Sequence, residues 1–171
     1  MRELILGGVR SGKSRLAEQH AAASGLVVVY VATAQALDAE MQQRIAHHRA
    51  HRPAHWQVIE AGYNLAEVLQ QHAAAGRCVL VDCLTLWLTQ LLCDVGEAEL
   101  RREVDALLKA LPGLPGQIIL VSNETNMGVV PMGELSRRYC DEAGRLHQQL
   151  GALCERVILT VAGIPLIVKG N

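Results

Sequence analysis

The sequence predicts an α/β fold: a mostly parallel sheet with helices on both faces and an antiparallel strand at its C-terminal edge. Three observations carry that expectation. Apolar runs of strand length are continuous, as in strands covered on both faces, and do not alternate with polar residues. Segments with helical spacing separate most of these runs. Half of the 171 residues are apolar and 19% are charged, so the chain can bury a sizeable core.

The first strand is ELIL (3–6), and KSRLAEQHAAASG after it is rich in helix formers and closes on Ser24 and Gly25. LVVVYVAT (26–33) is the next strand. Asn64 and Glu67 have capping-box spacing, Leu65, Val68, Leu69 and His72 share one helical face, and Gly76 marks the stop. RCVLVDCL (77–84) and QIILVSNE (117–124) read as strands. Between them, Leu100, Val104, Leu107, Leu108 and Leu111 recur at helical spacing before Pro112 and Gly113. Leu135, Tyr139, Leu146, Leu150 and Leu153 form the stripe of the last helix. RVILTVAG (156–163) and PLIVKG (165–170) end the chain. The turn between them is too short for a crossover, so the last strand returns antiparallel. Nothing in residues 1–171 reads as a repeat or linker, and one domain is expected.

Composition excludes several classes. Sixteen Lys+Arg against 17 Asp+Glu leave no basic excess for nucleic acid, and 3% aromatics without Phe leave few stacking platforms. No apolar run reaches the roughly 18 residues of a membrane span. The start MRELILGG is too short for a signal peptide. The five cysteines form no CxxC pair and leave one over in any disulfide scheme. They read as buried, reduced thiols in a cytoplasmic protein.

Chemistry enters with GGVRSGKS (7–14), a match to G-x4-G-K-[ST] between a strand and a helix. Gly7, Gly8, Val9, Arg10, Ser11 and Gly12 would wrap backbone N–H groups around phosphate oxygens at a helix N-terminus. Lys13 would reach the β- and γ-phosphates, and Ser14 would hold Mg²⁺. Asp82, ending an apolar strand, suits the carboxylate that shares the metal, or an N-cap for the segment from Leu84, or both. Thr33, at the end of the second strand, points to the same crevice.

Residues 37–52 hold three histidines. Leu37, Met41 and Ile45 form an apolar stripe, and Arg44, His48 and Arg52 follow at four-residue intervals. An imidazole between guanidiniums resists protonation and keeps a nitrogen free to attack, while the arginines grip phosphate. Two other readings stay open: metal chelation by His47 and His51, and a solvated polar face. Pro53 pushes Arg52 away from helical geometry.

GGVRSGKS, YVATAQALDAEM, RIAHHRAHRPAHW, Glu60, VLVDC and NETNMGVVP together resemble one family across nearly the whole chain. It is the bifunctional adenosylcobinamide kinase / adenosylcobinamide-phosphate guanylyltransferase family of cobalamin biosynthesis. The resemblance implies a P-loop NTPase-like (RecA-like) fold, ATP and GTP as substrates with Mg²⁺, a corrinoid acceptor and a homotrimer. It implies that His48 becomes guanylylated, with residues 7–14, Ala32, Thr33, Ala34, Arg49, Ala50, His51, Arg52, Glu60 and Asp82 as nucleotide contacts. One departure is Asn126, where the family's NEVGxGxVP run has glycine. Asn is the substitute that best tolerates positive φ. A second is Asp82, where some relatives carry Glu. A guanine-reading NKxD run, expected of a small GTPase switch, is lacking: Asn123-Glu124-Thr125-Asn126 has only the Asn.

Overall fold

The computed structural model describes residues 1–33 and 53–170. Its strands are β1 (Arg2–Gly7), β2 (Val27–Ala32), β3 (Gln57–Glu60), β4 (Arg77–Asp82), β5 (Gln117–Asn123), β6 (Arg156–Val161) and β7 (Ile164–Lys169). Its helices are α1 (Lys13–Ala23), α2 (Leu65–His72), α3 (Leu84–Asp94), α4 (Glu97–Ala110) and α5 (Glu134–Leu153), with a 3-10 turn at Leu111–Gly113. The six apolar runs all form strands. β3 is an addition the sequence did not announce, because it carries only two apolar residues and is mostly exposed.

The described strands make one sheet in the order β3-β2-β4-β5-β1-β6-β7. All pairs are parallel except β6 with β7, as the short turn required. Pleating divides the apolar runs of the inner strands between two cores, while β7 is exposed throughout. Leu4, Val29, Val79, Val81, Ile118 and Leu120 face α2, α3, α4 and α5, around the fully buried Trp87. Ile5, Val28, Tyr30, Leu80, Ile119 and Val121 face α1 and enclose Trp56.

Four local expectations need correction. Asn64 makes no cap bond; its Nδ2 donates to Glu67 Oε2 at 2.8 Å, and α2 ends at His72, before Gly76. Leu146 and Leu150 are buried, but Leu135 is exposed, because residues 134–138 stand clear of the core, and Leu153, the last residue of α5, is exposed at its other end. Cys78 and Cys154 are buried as expected, whereas Cys93, near the end of α3, is exposed. Asp82 is not the N-cap of α3: Cys83 takes that position without a side-chain bond. Ala34 and the whole segment with Arg44, His47, His48, Arg49, Ala50, His51 and Arg52 lie outside the described residues.

Candidate nucleotide site

β1 runs straight into residues 7–14, and α1 begins at Lys13. Arg10 (φ 56°) and Gly12 (φ 92°) are both left-handed, which folds the loop back over the helix start. Gly12 is the N-cap of α1 without a side-chain bond, and the first turn holds no acidic residue. The first N–H groups of the helix and its positive dipole end are left for an anion. Gly7 is needed for space: a Cβ there would come within 2.7 Å of the Thr160 carbonyl oxygen.

The C-terminal hairpin supports this loop. Gly163 N–H donates to the Ser11 carbonyl at 2.8 Å, and a Cβ on Gly12 would lie 3.3 Å from Gly163 Cα. Ala162 (φ 51°) and Gly163 (φ 80°) make the tight β6–β7 turn that brings them there. Sequence reasoning missed this contact, since the partners come from opposite ends of the chain.

Lys13 is only 9% exposed, and its Nζ donates to the Gly8 carbonyl at 3.1 Å. Burial holds its ammonium below the ordinary lysine value, with Cys83 and Asp82 pulling it back up. Beside it, Ser14 Oγ donates to Asp82 Oδ1 at 3.4 Å, and the Tyr30 hydroxyl donates to Asp82 Oδ2 at 2.9 Å. Ser14 and Asp82 make a two-oxygen donor set, which fits a hard cation that also takes substrate phosphates. No group of three or more His, Cys, Asp or Glu side chains that could hold a metal ion converges among the described residues.

The sheet register places the other predicted contacts. Asp82, Ala32 and Glu60 form one row across the C-terminal ends of β4, β2 and β3. Glu60 is exposed at the edge of that row. Thr33 is present in the same crevice, but its hydroxyl is engaged. Its Oγ1 donates to the Cys83 carbonyl at 2.7 Å and accepts from Cys83 N–H at 2.9 Å. Gln90 Nε2 donates to the Thr33 carbonyl at 2.8 Å. Thr33 therefore ties β2 to the start of α3. Gln90 and Tyr30 were not singled out in advance, although a lone glutamine inside LTLWLTQLL signals a buried hydrogen bond.

Asn126 does not take positive φ, so its replacement of glycine costs no strain. Its Nδ2 donates to the Cys140 carbonyl at 3.0 Å and sits where a Cβ on Gly144 would fall. The substitution thus pins the loop after β5 onto α5.

The family model described as cobinamide kinase / cobinamide phosphate guanyltransferase matches residues 3–168. A Pseudomonas aeruginosa relative, bifunctional adenosylcobalamin biosynthesis protein CobP, is 64% identical over 100% of this chain and 99% of its own. The Escherichia coli protein CobU, with the same descriptive name, is 40% identical over 97% of this chain and 98% of its own. Among solved structures, flagellar accessory protein FlaH from Methanocaldococcus jannaschii superposes with a TM-score of 0.55 at 16% identity, covering 99% of this chain and 78% of that one. The RadB recombinase superposes at 0.52 with 18% identity, covering 92% and 73%. These structural likenesses carry the fold alone, and it is the P-loop NTPase-like fold that the sequence led us to expect.

Proposed function

The chain belongs to the cobinamide kinase / cobinamide phosphate guanyltransferase family, and from that premise we propose an enzyme with two phosphorus chemistries on one nucleotide-binding domain. As a kinase it moves the γ-phosphoryl of ATP or GTP to the hydroxyl of adenosylcobinamide. As a guanylyltransferase it moves GMP from GTP to adenosylcobinamide phosphate, giving adenosylcobinamide-GDP. The observation that carries this reading is the convergence of Lys13, Ser14 and Asp82 at the head of α1.

In the kinase half, the loop N–H groups hold the phosphates in line and Lys13 meets the charge that develops on the β,γ-bridging oxygen. Ser14 and Asp82 would hold Mg²⁺, which supplies further charge neutralisation on the phosphates when bound. In the transfer half, we assign the nucleophile to His48, on its arginine spacing and its place in the family motif. Its nitrogen bonds to the α-phosphorus of GTP as pyrophosphate leaves, and the phosphate of the acceptor then displaces the imidazole. Arg49, Ala50, His51, Arg52, Ala32, Thr33, Ala34 and Glu60 are assigned to nucleotide contact on the same ground. Assembly as a homotrimer is proposed on the family resemblance, and the exposed apolar residues Ile164, Leu166 and Val168 of β7 would suit a contact between subunits. The cytoplasm is the proposed compartment. No described helix is long and apolar enough to cross a membrane.

GTP labelled at the α-phosphorus tests the transfer half against a kinase without nucleotidyl transfer. Acid-labile label should appear on wild-type protein and on His47→Ala, and should be lost from His48→Ala. A wild-type protein that never takes label, yet phosphorylates adenosylcobinamide, leaves the kinase reading alone.

A further inference from the structure

A buried polar chain lies directly beside the phosphate loop and is used by none of the steps above. Asn123 N–H donates to Thr85 Oγ1 at 2.7 Å, and Thr85 Oγ1 lies 3.4 Å from Ser122 Oγ. Ser122 Oγ lies 2.8 Å from His147 Nε2, and His147 Nδ1 lies 3.9 Å from Glu124 Oε2. Thr85 comes from the first turn of α3, Ser122 from the end of β5 and His147 from α5. Three elements thus contribute to one chain, and its last member, His147, faces the Glu124 carboxylate. Because Thr85 accepts from a backbone N–H, each hydroxyl can donate onward, Thr85 to Ser122 and Ser122 to His147 Nε2. That polarity leaves the neutral imidazole with its proton on Nδ1, facing Glu124.

Glu124 is the first residue past β5, the strand between β1 with its phosphate loop and β4 with Asp82. Its N–H donates to the carbonyl of Gly7, the first loop residue, at 3.0 Å. Its Oε1 accepts from Asn126 N–H at 2.7 Å, so Oε2 is the oxygen turned to His147. The side chain is 16% exposed, and an acceptor can reach it. The other described carboxylates at this end of the sheet are less well placed. Asp82 has Ser14 on one oxygen and Tyr30 on the other. Glu60 is on β3, four strands from β1, about 19 Å at ordinary strand spacing. Glu124 is one strand away.

We propose that Glu124 is the base of the kinase half-reaction and that His147, through Ser122 and Thr85, positions it. The inference rests on the kinase reading given above. The acceptor hydroxyl oxygen bonds to the γ-phosphorus while the bond from that phosphorus to the bridging oxygen breaks. The electron pair leaves with the nucleoside diphosphate, and the hydroxyl proton passes to Glu124 Oε2. The carboxyl then returns the proton to water after product release. Guanylyl transfer has no such need, because its acceptor is a phosphate oxygen that is already ionised.

The two half-reactions therefore serve as controls for one another. Phosphorylation of adenosylcobinamide and guanylyl transfer to pre-formed adenosylcobinamide phosphate are measured on the full chain for wild type, Glu124→Gln, Glu124→Asp and His147→Gln. Glu124→Gln should lower kcat for phosphorylation by about 100-fold, the usual worth of a general base, with far smaller changes in nucleotide KM and in transfer. Glu124→Asp should recover part of that loss. His147→Gln keeps a partner for Ser122 and should lower the ratio of phosphorylation to transfer in the same sense, by less. Near-normal phosphorylation by Glu124→Gln, or equal losses in both half-reactions, overturns the role of Glu124 and leaves the enzyme's function standing. A wild-type protein that phosphorylates no adenosylcobinamide overturns the kinase reading and this inference with it.

Discussion

Ser14 Oγ lies 3.4 Å from Asp82 Oδ1, which joins two residues 68 positions apart at the mouth of the phosphate loop. Tyr30 holds the second carboxylate oxygen at 2.9 Å, so Asp82 has its orientation fixed from both sides. Removing either donor of the pair should weaken the cation more than the nucleotide. Ser14→Ala and Asp82→Asn are each expected to raise the Mg²⁺ concentration for half-maximal phosphorylation by about tenfold, a coordination bond's worth. Tyr30→Phe should raise it less. A Mg²⁺ titration of each variant checks this, and an unchanged requirement in both would place the ion elsewhere.

Lys13 stands in the opposite relation to stability. Its burial lowers its pKa, so the folded chain binds fewer protons than the unfolded chain in the window below 10.5. Stability tied to this residue therefore rises with pH through that window, and at neutral pH the buried charge is a cost. Lys13→Met is expected to melt no lower than wild type without nucleotide. It should lose most of the nucleotide-induced rise, which for wild type at a hundredfold excess over Kd is about 2.7 kcal/mol. Phosphorylation should fall by about 10²–10³-fold with the loss of the cation at the leaving oxygen. Thermal melts with and without ATP separate the two effects; a large drop in the melt without nucleotide would make Lys13 a stabilising residue.

Five of the long strands were legible because they are packed into the sheet and read as unbroken apolar runs, whereas β7 reads the same way although every one of its residues is exposed. β3 was not, since an edge strand with Val58 and Ile59 as its only apolar residues owes its place to pairing with β2. The phosphate loop was fully legible, because its glycines and its strand–helix context are local. Its support by Gly163 was not, because that contact depends on where the last hairpin lands. Asp82 illustrates the limit: its sequence position suited a metal ligand, an N-cap, or both. The structure removes the N-cap, which Cys83 takes, and leaves the carboxylate between Ser14 and Tyr30. Leu135 fitted the helical stripe, yet periodicity cannot tell where a helix leaves the body of the protein.

His147 couples stability to pH. Burial holds its imidazole below the ordinary 6.5, with Glu124 partly opposing. In the window between the lowered folded value and 6.5, the unfolded chain binds the extra proton. The stabilisation is complete above 6.5 and is lost as pH falls through the folded value. Urea midpoints from about pH 7.5 down to about pH 5 should therefore fall more steeply for wild type than for His147→Gln, which cannot titrate there. Parallel curves would assign the acid sensitivity to other groups.

Guanine preference in the transfer step should rest on Glu60. Guanine presents N1–H and the N2 amino group side by side, two donors that one carboxylate accepts together. Asp82 is in the same register row, but both of its oxygens are engaged by Ser14 and Tyr30, and the role proposed for it is with the cation. Glu60 stands exposed at the end of β3, two strands from Asp82, about 10 Å at ordinary strand spacing and on the side of the crevice away from the phosphate loop. That displacement suits a base whose phosphates reach back toward β1. ITP differs from GTP only by lacking the N2 amino group. Wild type should therefore favour GTP over ITP, by about tenfold for one charge-assisted hydrogen bond. In Glu60→Gln the preference should nearly vanish, while Asp82→Asn should keep it and lose rate with both nucleotides alike. Equal GTP-over-ITP preference in the two variants and wild type would clear Glu60 of base recognition.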